Sequence, residues 1–305
     1  MPRLLSAVAA LLLSAPLFAQ APKFDRKEDV IYGRKFGLAM TMDVFTPKEN
    51  ANGAGVIFCV SGGWFSAKES VNVGFVAEFL KRGYTCFAVV HGSQPKFTIP
   101  EVMEDMHRAV RYIRHHAKDY DIDPDRLGIC GASAGGHLSL MMGTTGKDAD
   151  PKAKDPVDKE SSKVAAVGCF FPPTDFLNYG KDGAVMLGRG TLEGFKAPFD
   201  FTEFDAVSRS FNLITDEGKR RVIGKAISPY YHVSKTSAPA LVIHGDKDEL
   251  VPLQQAERII KKYQDEKVPC ELVVKKGVAH GWPGLDKDLL TIADWFDKHL
   301  AKKEK

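Results

Sequence analysis

Three side chains in this sequence are of the types, and stand in the local settings, that could carry out covalent acyl chemistry together. Ser133 lies in Gly131-Ala132-Ser133-Ala134-Gly135. The pattern G-x-S-x-G bends the chain sharply from strand to helix and exposes the serine hydroxyl, and small neighbours suit so crowded a turn. A hydroxyl is a poor nucleophile near neutrality, so it needs a base that takes its proton and later returns it to the leaving group. His280, in Val278-Ala279-His280-Gly281-Trp282 after the last strand-like run, is the histidine placed for that task. Among the others, His107, His115 and His116 fall on one helical pattern or its end, and His299 is near the C-terminus. His137 follows Ser133 closely enough to serve packing at the bend, and His244 precedes an acidic turn. That turn, His244-Gly245-Asp246-Lys247-Asp248-Glu249-Leu250-Val251-Pro252, offers the carboxylate needed to orient the base and stabilise its cation. Asp248 is the choice for that role, and Asp246 is the alternative, better suited to forming the turn.

Attack by Ser133 would create an oxyanion that requires fixed donors. Ala134 supplies one amide, at the start of a helix whose first N–H groups are unpaired. Val60-Ser61-Gly62-Gly63-Trp64 follows an apolar strand, and the amides of Gly62 and Gly63 are expected to supply the rest. Trp64 and Trp282, beside these loops, are expected to touch substrate. The chemistry calls for no metal or organic cofactor. The acidic string Asp119, Asp121, Asp123, Asp125 fails as a calcium loop, because Pro124 stands where glycine is needed and Cys130 where glutamate is needed.

The elements that must position these groups follow from hydrophobic patterning. Strand-like runs recur at Leu38 to Phe45, Gly55 to Val60, Tyr84 to Val90, Arg126 to Cys130, Val164 to Phe171, Ala240 to His244 and Glu271 to Val274. Several are continuously apolar, as strands buried on both faces are. Ile99, Val102, Met103, Met106, Val110 and Ile113 share one helix face, as do Leu289, Ile292, Ala293, Phe296 and Leu300. The alternation is βαβα, which predicts an α/β fold with a mainly parallel sheet flanked by helices and a site beyond the carboxyl ends of the strands. Lys147 to Lys163 reads as a solvated loop. Pro172 to Val233, rich in phenylalanine and without a clear strand, reads as an insertion after the sixth strand, either a substrate-covering cap or a structural addition.

Composition sets the outer bounds. The chain has 305 residues, 44% hydrophobic and 27% charged, with a formal charge of +3. These values fit a globular enzyme and give no global field for nucleic acid. Residues 1 to 19, basic at Arg3, apolar from Leu4 to Phe18 and small at Ala19 and Ala21, read as a secretory signal peptide, leaving 20 to 305 as one domain in a periplasmic or extracellular setting. No other apolar segment has the length to span a bilayer. Cys59, Cys86, Cys130, Cys169 and Cys270 lie in apolar runs and read as small core residues, with room for one pair between adjacent strands.

With these residues in place, the chain resembles the α/β-hydrolase superfamily over essentially its whole mature length. The resemblance is strongest to bifunctional acetylxylan/feruloyl esterase-like proteins, which themselves resemble prolyl oligopeptidase catalytic domains. Ile122-Asp123-Pro124-Asp125-Arg126 leading to Gly131-Ala132-Ser133-Ala134-Gly135-Gly136-His137, then His244-Gly245 with Asp248 and Val251-Pro252, then His280-Gly281-Trp282, carry it. The chain order serine, aspartate, histidine is the one this fold requires. The sequence departs in one place. Such esterases usually carry H-G-G-G-W in the oxyanion loop, whereas here Val60 stands at the histidine position and Ser61 at the first glycine. The resemblance implies hydrolysis of carboxylic esters, with acetyl or feruloyl groups on polysaccharide as the substrate class. Two other readings are a prolyl oligopeptidase-like peptidase, disfavoured by the short stretch before the third strand, and a non-catalytic binding protein on the same fold.

Overall fold

The structure is a computed structural model that describes residues 22–302. The segment read as a signal peptide lies outside the described residues. An eight-stranded sheet runs through the molecule in the order β1-β2-β4-β3-β5-β6-β9-β10. Its strands are β1 (Phe24–Lys35), β2 (Leu38–Pro47), β3 (Gly55–Val60), β4 (Thr85–Val90), β5 (Leu127–Ala132), β6 (Ala166–Phe170), β9 (Ala240–Gly245) and β10 (Cys270–Lys275). From β4 to β10 every neighbouring pair is parallel, and β1 and β2 join as antiparallel strands at one edge.

Every residue of β3, β6 and β9 is buried, which is why these segments read as unbroken apolar runs. One face of the sheet is covered by α2 (Ile99–His115), α3 (Ala134–Thr145) and α5 (Gln254–Asp265), the other by α1 (Ala77–Lys81) and α6 (Leu285–His299). The start of α2 shows how local sequence sets an element's limit. Thr98 and Glu101 form a reciprocal capping box, and Pro100 sits in the first turn, where its missing N–H has no intrahelical partner to lose.

Two features differ from the sequence reading. The first strand, β1, has no counterpart among the predicted strands, because half of its residues are both exposed and charged and it carries register shifts at Lys27/Val30 and Ile31/Gly33, as edge strands often do. The stretch 172–233, read as strandless, contains a hairpin of β7 (Thr202–Asp205) and β8 (Ser210–Leu213), followed by α4 (Glu217–Ala226). Seven of the hairpin's eight strand residues are exposed, so no buried face imposes an alternating pattern. The rest of the insertion is anchored: Phe176, Phe199 and Phe201 are buried in the same core cluster as Val102 and Leu138. Gln255 of α5 accepts from the amides of Thr174 and Asp175 at 2.9 and 2.7 Å.

Candidate active site

The candidate residues stand in the loops that leave the carboxyl ends of neighbouring parallel strands. Ser133 follows β5, its backbone at φ 53° and ψ −118°, outside the regions a serine normally occupies. The strain is held by what surrounds it. The Ser133 amide donates to Phe170 O at 3.0 Å, and the His137 amide donates to Ser133 O at 2.9 Å. A Cβ on Gly131 would come within 2.6 Å of the Gly135 backbone, and one on Gly135 within 2.8 Å of Cys59 O, so the bend closes only with glycine at both places.

Ser133 Oγ lies 2.9 Å from His280 Nε2, and His280 Nδ1 lies 2.7 Å from Asp248 Oδ2. A carboxylate can only accept, so Nδ1 carries the proton and Nε2 is the acceptor facing the serine hydroxyl. The Asp248 carboxylate is buried, and burial alone would raise its pKa. Hydrogen bonds from His244, His280 and the Val251 amide outweigh that and bring it down to about 2. The His244 ring, fully buried, donates from Nε2 to Val251 O at 2.7 Å, with Asp248 Oδ2 at 3.3 Å from the same nitrogen.

Asp246, the alternative acid, does something else. Its Oδ1 accepts from the Gly277 amide at 2.7 Å, while the Lys247 amide donates to Val278 O at 2.9 Å. The acid-bearing turn is thereby laced to the loop that carries His280.

Residues 62–65 form a two-residue turn. The Gly62 amide donates to Phe65 O at 3.0 Å and the Phe65 amide to Gly62 O at 2.9 Å, with φ of 55° at Gly63 and 61° at Trp64. Positive φ at both central positions makes it type I′. This corrects two expectations. The Gly62 amide is occupied within the turn and is not available to an oxyanion, leaving Gly63 and Ala134 as the expected donors that remain. Trp64 is swung inward by its left-handed backbone. It is 2% exposed, packs against His137, Phe176 and Phe199, and donates from Nε1 to His137 Nδ1 at 3.2 Å. It is a core residue and not a substrate contact.

His137 in turn donates from Nε2 to Ile227 O at 2.7 Å, and burial brings its pKa down to about 4, so it is a neutral packing group. Trp282 is partly buried. Its Nε1 donates to Asp288 at 2.7 Å, and its ring meets Phe171 edge-on at 5.6 Å. Its polar atom is therefore committed within the protein.

Three neighbours of the site carried no pattern in the sequence. The Phe171 ring, on a residue with φ of 35°, lies 4.4 Å from the His280 ring. Phe195 of the insertion covers Gly63 so closely that a Cβ there would sit 2.4 Å from its ring. His91, after β4, touches Ser61 in the oxyanion loop. The only advance sign of the last was the unusual Val60-Ser61 pair itself.

Comparison with known proteins identifies the family. The BD-FAE family profile matches residues 42–263. A probable carboxylic ester hydrolase of Mycobacterium tuberculosis, LipM, is 29% identical over 238 residues, covering 76% of this chain and 50% of its own. An acetylxylan esterase of Xylanibacter ruminicola is 34% identical over 123 residues, 36% of this chain and 24% of that one. The chain thus spans about half the length of LipM and less of the xylan enzyme. A solved structure described as a truncated carbohydrate esterase from gut microbiota superposes with a TM-score of 0.72 at 24% identity, covering 93% of this chain and all of the other. The sheet order, the strained serine bend and a profile match over most of its length place the chain in the BD-FAE family, on an α/β-hydrolase fold.

Proposed function

We propose that this protein is an exported serine hydrolase that cleaves carboxylic esters through Ser133, His280 and Asp248. The observation that carries the reading is the unbroken hydrogen-bonded line from Ser133 Oγ through His280 to Asp248. Ser133 Oγ attacks the ester carbonyl carbon as its proton passes to His280 Nε2. The carbonyl oxygen takes the negative charge and is met by the Ala134 and Gly63 amides. Collapse breaks the bond to the leaving alkoxide, which takes the proton from His280, and an acyl group remains on Ser133. Water, deprotonated by the same nitrogen, then attacks the acyl carbon and releases the acid and the free serine. Asp248, kept anionic, holds the ring in the required tautomer and stabilises its cation.

Acetyl or feruloyl esters on polysaccharide are the proposed substrates, because relatives described as acetylxylan and carbohydrate esterases support that class. Export rests on the basic, apolar and small-residue order of residues 1 to 19.

The test is a panel of acetylated and feruloylated xylo-oligosaccharides, p-nitrophenyl acetate and a prolyl p-nitroanilide, assayed with the parent protein and with folded Ser133→Ala. Release of acetate or ferulate that disappears in the variant is the expected result. Anilide cleavage without ester cleavage would replace the ester reading with a peptidase, and no turnover or fluorophosphonate labelling of Ser133 would leave a binding protein.

A further inference from the structure

The oxyanion loop lacks the histidine and first glycine that its relatives' pattern led us to expect, yet it is held in a defined conformation. The hold comes from the neighbouring strand. His91 is 3% exposed at the end of β4, and its Nε2 lies 2.8 Å from Ser61 Oγ while its Nδ1 lies 2.8 Å from Gly92 O. A carbonyl can only accept, so Nδ1 bears the proton. Burial brings the ring's pKa down to about 4, so near neutrality it carries no second proton and Nε2 is an acceptor. The Ser61 hydroxyl must therefore donate its one proton to His91.

More bonds run between the same two segments. The His91 amide donates to Ser66 Oγ at 3.2 Å, and Ser66 Oγ–H donates to Val60 O at 2.5 Å. The Ser66 amide donates to Ser93 Oγ at 3.0 Å, and the Gln94 amide to Trp64 O at 3.2 Å. Ser61 O is itself 3.4 Å from where a Gly135 Cβ would be, so the loop is tied to β4 on one side and lies against the serine bend on the other.

We propose that Ser61 and His91 form a positioning pair that fixes the oxyanion loop, supplying from β4 the hold that the histidine of H-G-G-G-W would give from within the loop. The inference rests on the proposed hydrolase reading. Ser61 is not a second nucleophile, because its histidine is buried, has a carbonyl where His280 has a carboxylate, and resists protonation. Nor is it an oxyanion donor, because its proton is committed. Its effect passes through the Gly63 amide two residues on.

The pair is tested with Ser61→Ala, Ser61→Thr, His91→Phe and Ser61→Ala/His91→Phe, each checked for folding by circular dichroism and thermal melting. Removing an oxyanion donor outright costs about 100- to 1,000-fold in kcat, so displacing one should cost about tenfold. In Ser61→Ala we expect that loss in kcat on p-nitrophenyl acetate, with KM changed less than about twofold, because the loop matters most once charge has formed. Affinity for a trifluoromethyl ketone, whose serine adduct carries the oxyanion, should weaken in parallel. Ser61→Thr, which keeps a hydroxyl, should recover most of the loss, and the double variant should be no worse than the poorer single one. Ser61→Ala with parental kcat, a loss confined to KM, or additive losses would each overturn the pair. The Ser61 series decides the matter even if His91→Phe fails to fold. A parent protein without Ser133-dependent hydrolysis would overturn the hydrolase reading and the pair with it, an outcome distinct from an active parent indifferent to Ser61.

Discussion

His280 and His91 each face a serine hydroxyl, at 2.9 Å and 2.8 Å, and their prospects differ completely. His280 is partly open to solvent and has a buried carboxylate behind it. His91 is buried and has a peptide carbonyl behind it. The first can take a proton, because an anion on the far side stabilises the resulting cation. The second resists one near neutrality, because burial penalises that cation and a neutral carbonyl offsets only part of the cost. A serine-histidine contact is thus chemically ambiguous until the atom beyond the ring is named.

The comparison can be broken at the carboxylate. Asp248→Asn removes the anion while keeping the shape, and its amide can stabilise the wrong imidazole tautomer. The expected result is a fall in kcat on the order of 10⁴-fold, measured on a rapidly cleaved ester in a folded variant. Retention of parental kcat would show that His280 works without its partner and that the distinction drawn from His91 is empty.

A smaller effect is expected one residue pair away. Asp246→Ala leaves the line intact but frees the Gly277 amide and loosens the loop that delivers His280. A loss of about tenfold in kcat is expected, since reacting groups tolerate little misplacement. A variant as damaged as Asp248→Asn would make Asp246 the acid instead.

The last prediction concerns stability. His91, His107 and His137 are all buried, and burial lowers their pKa values to about 4, 3 and 4. In the unfolded chain they would titrate near 6.5, so below that pH the unfolded state binds protons that the folded state refuses. Their burial is therefore harmless above about pH 6.5 and increasingly destabilising as pH falls towards 4. Asp248 behaves differently, since its depressed value keeps its contribution in place until pH drops below about 4 and removes it as pH nears 2. Urea midpoints should decline from pH 6.5 to 4, and less steeply in His107→Gln, which removes one of the three. A flat profile over that range would show that these rings titrate in the folded protein.

The sequence made the acid-base half of the site easy to find. Ser133 and Asp248 follow the buried apolar strands β5 and β9, and His280 follows the half-buried last strand β10, so both the residue type and its place were visible. The oxyanion half was harder. Whether Gly62 or Gly63 offers a free amide depends on the register of a two-residue turn, and two adjacent glycines carry no mark of it. Trp64 looked like a binding residue because exposed aromatics beside glycine loops often are, but a positive φ turned its ring into the core. The charged strand β1 and the hairpin β7–β8 escaped notice for a shared reason. Hydrophobic periodicity records a buried face, and these strands have little or none.

Ser133 and His280 are 147 residues apart in the chain, and His280 follows β10, the last strand of the sheet. A nascent or partly threaded chain would own the serine bend long before it owned a base. Long-range pairing of this kind is slow to form and comes late. Hydrolytic competence would thus arrive as a single event at the end of folding, so turnover per molecule counts finished molecules, and a chain truncated before His280 would be silent however well its earlier strands had assembled.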